Sequence, residues 1–165
     1  MRNRCVTLLI CVTVLISLWV PLAQAKGKDK KDKKQAVVLF HVIQNGKYGF
    51  IDQTGRLVIQ PQFNDTEGFH DGLAAVLIGD KWGYIDNQGQ VVVQPQFMRA
   101  GDFSDELAAV RIGDKEGYID KSARIIIKPQ FDKAWPFSHG IARVMVGDKL
   151  GYIDKKGAYV WGPTN

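Results

Sequence analysis

Cysteine is nearly missing from this chain: the only two, Cys5 and Cys11, fall within the first 11 of 165 residues. Residues 12–165 therefore exclude disulfide staples, thiolate catalysis and cysteine metal sites. Histidine is scarce as well. His41, His70 and His139 lack metal-ligand spacing and do not share a position in the repeat described below, so they read as scattered surface residues. No Gly-x-Ser-x-Gly elbow, phosphate loop or dinucleotide fingerprint occurs. Asp105 and Glu106 are adjacent carboxylates, but adjacency does not set the separation of about 5 or 6.5–9.5 Å that glycoside hydrolysis needs. The residues point away from an enzyme, with no catalytic residue, cofactor or metal assigned. The rival reading is a hydrolase of envelope glycans, which two carboxylates converging in a concave pocket would favour.

Long apolar runs are equally rare. The one present, Val6 to Val20, follows Arg2 and Arg4 and precedes Ala23-Gln24-Ala25, the three-part form of a secretory signal with cleavage expected between Ala25 and Lys26. A 15-residue helix would span only about 22 Å of a hydrocarbon core of about 30 Å, which argues against an anchor. The expected location is periplasmic or secreted.

The formal charge of +5 is local. Lys26, Lys28, Lys30, Lys31, Lys33 and Lys34 crowd a tether at 26–36, and the rest of the chain is close to neutral, so no nucleic-acid partner is expected. The tether reads as a flexible spacer, with a weak electrostatic contact to anionic surfaces as the alternative.

What the chain does have is a repeat of 34 residues. Gly49, Gly83, Gly117 and Gly151 keep that spacing, each followed by an aromatic residue, isoleucine and an aspartate: Asp52, Asp86, Asp120 and Asp154. Pro61, Pro95 and Pro129 hold the same register, as do Phe69, Phe103 and Phe137. Copies run at about 37–70, 71–104, 105–138 and 139–165. Each contains three runs rich in β-branched and aromatic residues, as at Leu73 to Ile78, Trp82 to Asp86 and Gln90 to Gln94, split by turn residues. Helix is excluded, because Gly and Pro in every copy would cost about 1 and 3 kcal/mol.

The expected fold is all-β: tandem three-stranded antiparallel meanders stacked as an open or coiled array, with a closed propeller-like or barrel-like arrangement as the alternative. A connector of about ten residues beginning at the proline would join them. Ala74/Val76/Ile78 and their equivalents at 108/110/112 and 142/144/146 read as the buried face of the first strand. The opposite face varies through Ala75, Leu77, Ala109, Arg111, Arg143 and Met145, and reads as exposed. The recurring glycine marks a bulge or a large group on bare backbone, with the connector phenylalanines as candidates. The aspartates read as turn caps, and Ala123 replaces the glycine that ends this turn in the other copies, which predicts strain there.

Residues 71–97, from Asp71-Gly72-Leu73-Ala74-Ala75-Val76 through Lys81-Trp82-Gly83-Tyr84-Ile85-Asp86 to Pro95-Gln96-Phe97, resemble the bacterial WG-containing repeat. The resemblance covers about 37–165 and implies an all-β repeat protein, frequently exported, with no family-wide reaction. Its signature tryptophan is Trp82 only, replaced by Tyr48, Glu116 and Leu150 in the other copies. The chain is thus expected to be an exported, non-enzymatic binding or scaffolding protein of the envelope or exterior, with a protein or polymer partner. A purely structural spacer is the other alternative. Trp82, Arg111 and Arg143 are the candidate binding residues, placed on the variable face.

Overall fold

The computed structural model describes residues 38–162; the expected leader, the cleavage point at Ala25 and Lys26, and the lysine tether lie outside the described residues. The chain folds into four successive antiparallel sheets. The first contains β1 (Phe40–Gln44), β2 (Lys47–Ile51) and β3 (Leu57–Phe63). The second contains β4 (Asp65–His70), β5 (Leu73–Ile78), β6 (Lys81–Asp86) and β7 (Val91–Phe97). In the third are β8 (Arg99–Ser104), β9 (Leu107–Ile112), β10 (Lys115–Asp120) and β11 (Ile125–Phe131). The fourth has β12 (Lys133–Ala134), β13 (Ile141–Val146), β14 (Lys149–Asp154) and β15 (Tyr159–Trp161). Main contacts link each sheet to the next, giving an open series rather than a closed barrel.

The three expected strands of each copy form, but the connector is not a loop. Its first residues complete one sheet and its remainder starts the next, so that β4 pairs with β5 and β8 with β9. Phe69 and Phe103 sit in this added strand, opposite Ala74 and Ala108.

A second difference concerns the faces of the first strand. Ala74 and Val76 are buried as expected, yet Ala75 and Ala109 are buried too, while Ile78, Ile112 and Val146 are exposed. The reason is that each inner sheet is covered on both sides. One cluster joins Phe50, Ile59 and Phe63 of the first sheet to Ala74, Val76 and Ile85 of the second. Another joins Ala75, Tyr84 and Val93 to Phe103, Ala108, Val110 and Ile119. The last joins Ala109, Tyr118 and Ile127 to Phe137, Ala142, Val144 and Ile153.

At each junction the ring after the recurring glycine meets a phenylalanine of the next sheet: Phe50 on Phe69, Tyr84 on Phe103 and Tyr118 on Phe137, with centroids 4.7–4.8 Å apart. Burying such a ring contributes about 2–3 kcal/mol. The tyrosines add a hydrogen bond each, Tyr84 Oη donating to the Gly101 carbonyl and Tyr118 Oη to that of Trp135, both at 2.8 Å. Burial pushes both phenols well above the usual tyrosine range.

The recurring glycine does mark a bulge, but backbone rather than phenylalanine lies against it. Opposite Gly83 the partner strand carries extra residues between Val93 and Phe97, around Pro95, which has no N–H to leave unpaired. A Cβ at Gly83 would lie 2.5 Å from the Val93 carbonyl oxygen, and one at Gly117 2.5 Å from that of Ile127. Gly49 repeats the arrangement against Ile59 and Pro61, whereas at Gly151 the obstacle is the Tyr159 ring.

The four aspartates fold the turns that follow them. Asp86 Oδ1 accepts the N–H groups of Gln88 and Gln90, and Asp52, Asp120 and Asp154 do the same. Gly55, Gly89 and Gly157 close these turns with φ near 80°, and Ala123 is held at φ 61°, a left-handed conformation that strains an alanine.

Gly117→Ala is expected to destabilise by at least about 2 kcal/mol, because its new methyl meets main chain that cannot yield. Gly101→Ala, whose Cβ would meet only the Ala109 carbonyl at 3.5 Å, should be tolerated; denaturant midpoints of the two variants make the comparison.

Asp52 supplies a pH test. The Thr54 hydroxyl, with help from the N–H groups of Thr54 and Arg56, holds its carboxyl at about 2 against an ordinary 3.8, despite slight desolvation. Because the folded value is the lower one, the turn's contribution is complete above the ordinary value and is lost as pH falls through about 2. Thr54→Val should raise the Asp52 titration midpoint, measured by carboxyl chemical shift.

Candidate functional site

The added first strand of each sheet is bulged, and the bulges recur at one place in the repeat. In β4 the register jumps from Thr66 to Gly68, leaving Glu67 unpaired. In β8 it jumps from Ala100 to Phe103, freeing Gly101 and Asp102. β12 stops at Ala134, and Trp135-Pro136 occupies the corresponding place. A bulge re-aims side chains that a regular ladder would alternate between faces. Here the consequence is a cleft of about 270 Å3 lined chiefly by Glu67, Arg99, Asp102, Glu116, Lys133 and Trp135.

Glu116 anchors one wall. It is 2% exposed, and it stands where the second sheet has Trp82 and the first Tyr48. Its Oε1 accepts from Arg99 at 3.1 Å and Arg111 at 3.2 Å, and its Oε2 from the Ala134 N–H at 2.7 Å. Three positions have changed together. Around Trp82 the equivalents of Arg99 and Arg111 are Asp65 and Leu77, so an aromatic and aliphatic contact has become a buried carboxylate held by two arginines that reach out to solvent. Such clusters are weak sources of stability and are better understood as specifying what surrounds them.

Asp102 forms the other wall. Its Oδ2 lies 3.4 Å from His70 Nε2, while its Oδ1 is buried without a hydrogen-bond partner among the described residues. Desolvation raises its carboxyl above the usual range; His70 opposes the shift and Glu67 adds to it. The result is a carboxyl oxygen shut off from water that no donor among the described residues satisfies.

The residues singled out from sequence do not assemble. Trp82 is not an exposed residue of a variable face: it is half-buried in β6, packed on the cluster between the second and third sheets. Arg111 is engaged by Glu116 and by the Asp132 carbonyl at 3.1 Å. Only Arg143 is exposed, in β13 with its guanidinium 4.1 Å from the Trp135 ring centroid. Asp105 and Glu106 form a tight turn at φ 51° and 71°, where Asp105 Oδ2 accepts the Gly140 N–H and the Glu106 N–H reaches Asp71 Oδ2. Among the described residues no group of three His, Cys, Asp or Glu side chains is disposed to hold a metal ion.

Glu67, Asp102 and Lys133 were not legible as a site, since bulges rather than spacing bring them together. Glu116 left a signal that the sequence reading passed over: a carboxylate stands in a column otherwise aromatic or apolar, while arginines enter two neighbouring columns.

Glu116→Trp alone is expected to destabilise by about 1–3 kcal/mol, because it orphans the buried Ala134 N–H and crowds two arginines. Combining it with Arg99→Asp and Arg111→Leu, which copies the second sheet, should restore thermal stability to within about 1 kcal/mol of the parent.

No match was found among curated proteins. The model of the WG containing repeat matches residues 48–82, 82–115 and 117–149. These segments span most of the described sheets, and the chain belongs to the WG containing repeat family.

Proposed function

We propose that this is an exported, non-enzymatic binding protein of the cell envelope or exterior, and that the cleft at the repeated bulges is where it holds a polyhydroxylated polymer strand. The observation that carries this reading is the unpartnered, buried Oδ1 of Asp102 in a cleft that also presents the Trp135 ring. A turn of the carboxyl about its χ2 bond would bring that oxygen to a hydroxyl or amide N–H of a sugar, and a sugar ring has an apolar face for the indole. Charged side chains on the rim, Glu67, Arg99 and Lys133, can bond further hydroxyls. Export is inferred from the three-part segment at residues 1–25.

One observation favours a hydrolase as second reading. Three carboxylates, Glu67, Asp102 and Glu116, line the cleft, and burial favours the protonated form of Asp102, as a general acid requires. Against it, Glu116 has both oxygens committed, and Glu67, the remaining base, is solvent-exposed.

Titration calorimetry with soluble N-acetylglucosamine oligosaccharides tests both readings. Binding is expected, weakened about tenfold or more by Asp102→Ala and by Trp135→Ala, with no new reducing ends on incubation. No binding would refute the proposal. Release of reducing ends that stops in Asp102→Asn would establish the hydrolase instead.

A further inference from the structure

The two ends of the sheet series carry the two halves of one interface. The forward face of each of the first three sheets is covered by the next sheet: Phe50, Tyr84 and Tyr118 are fully buried there. In the fourth sheet the same positions lie open. Ile141 is 40% exposed, Tyr152 37% and Trp161 51%, where their counterparts Leu107, Tyr118 and Ile127 are 6%, 0% and 3%. Among the described residues the ring next to Tyr152 is Trp161, with centroids 6.2 Å apart, where Tyr118 has the wedge phenylalanine Phe137. Tyr152 and Ile141 line a groove of about 540 Å3 together with Trp135 and Arg143.

The backward face shows the complementary half. Ala74, Val76 and Ile85 are fully buried against the preceding sheet, as are Ala108, Val110 and Ile119 to within 1%. The first sheet has Phe40, Val42 and Ile51 at these positions, with Phe40 51% exposed and the other two half-buried.

The substitution at position 40 is informative. In the second and third sheets a wedge phenylalanine faces a cross-strand alanine, Phe69 opposite Ala74 and Phe103 opposite Ala108. In the first sheet the position of that alanine is held by Phe40, so its backward face projects an exposed aromatic ring where the inner sheets have a methyl group.

We propose that a second copy of this chain docks head to tail, the face of Phe40, Val42 and Ile51 seating in the open groove of the fourth sheet. The occupant follows from continuity with the three junctions inside the chain, which use the same positions on both sides. Arg143, where the inner sheets have Ala75 and Ala109, already has the Trp135 ring as a partner at 4.1 Å. Because each copy offers one tongue and one groove, the contact is heterologous and propagates rather than closing at a dimer.

Sedimentation velocity on the full chain, from low micromolar to near-millimolar concentration, tests this. The parent should form a ladder of oligomers that lengthens with concentration. Phe40→Glu and Tyr152→Glu should each be monomeric with unchanged circular dichroism. Mixed in equal amounts, they should give a dimer and nothing larger, since each keeps one intact end. A parent that is monomeric throughout overturns the proposal, as does association that survives both substitutions. Association that begins only after deletion of residues 26–36 also overturns it, by making the chain's own tether the occupant of the first sheet. Milder variants, Phe40→Ser and Tyr152→Ser, repeat the mixing test if a glutamate impairs folding.

Discussion

A β-sheet apolar on both faces cannot stand alone in water. Every inner sheet here is of that kind, since alternate residues of its strands are buried forward and backward. The aromatic wedges, the phenol hydrogen bonds and the burial of Ala75 and Ala109 all follow from this single constraint. Stability is therefore a property of junctions rather than of sheets.

The constraint also explains where chemistry can enter. A junction tolerates little variation at its centre, where Tyr84 and Tyr118 are sealed, and more at its edge, where the added strands bulge. The chain has used that freedom once. At the third sheet a carboxylate and two arginines occupy places held by apolar or acidic residues one sheet earlier, and a cleft opens beside them. Beside it Asp102 is partly buried, with one oxygen that has no hydrogen-bond partner among the described residues, a cost that the junction's edge can carry and its sealed centre could not.

Much of the fold was legible in the residues. The spacing of Gly49, Gly83, Gly117 and Gly151 gave the unit, the β-branched runs gave three strands, and the aspartates gave the turns. The fourth strand was hidden because Asp65–His70 and Arg99–Ser104 are polar, glycine-containing and preceded by proline, the composition of a loop. They become strands because their phenylalanines are drawn into a neighbour's core, a tertiary effect that overrides local propensity. The same gap misled the reading of faces. Period-two alternation identifies one buried face when a sheet has one solvent side, and it fails when both sides are covered. The cleft was illegible for a related reason, since residues 67, 102 and 116 have no common spacing until bulges bring them to one edge.

Between successive sheets there is a single residue, Asn64, Met98 or Asp132. Even these are fastened: the Asn64 N–H donates to Leu77, that of Met98 to Arg111 and that of Asp132 to Met145. Such links have no slack to extend and no joint about which to swing. Tension applied at one end is thus passed directly into the next sheet's ladder and its aromatic wedge. The sheets behave as coupled neighbours rather than as beads on a string, since a pull on one is felt first by the ladder of the next.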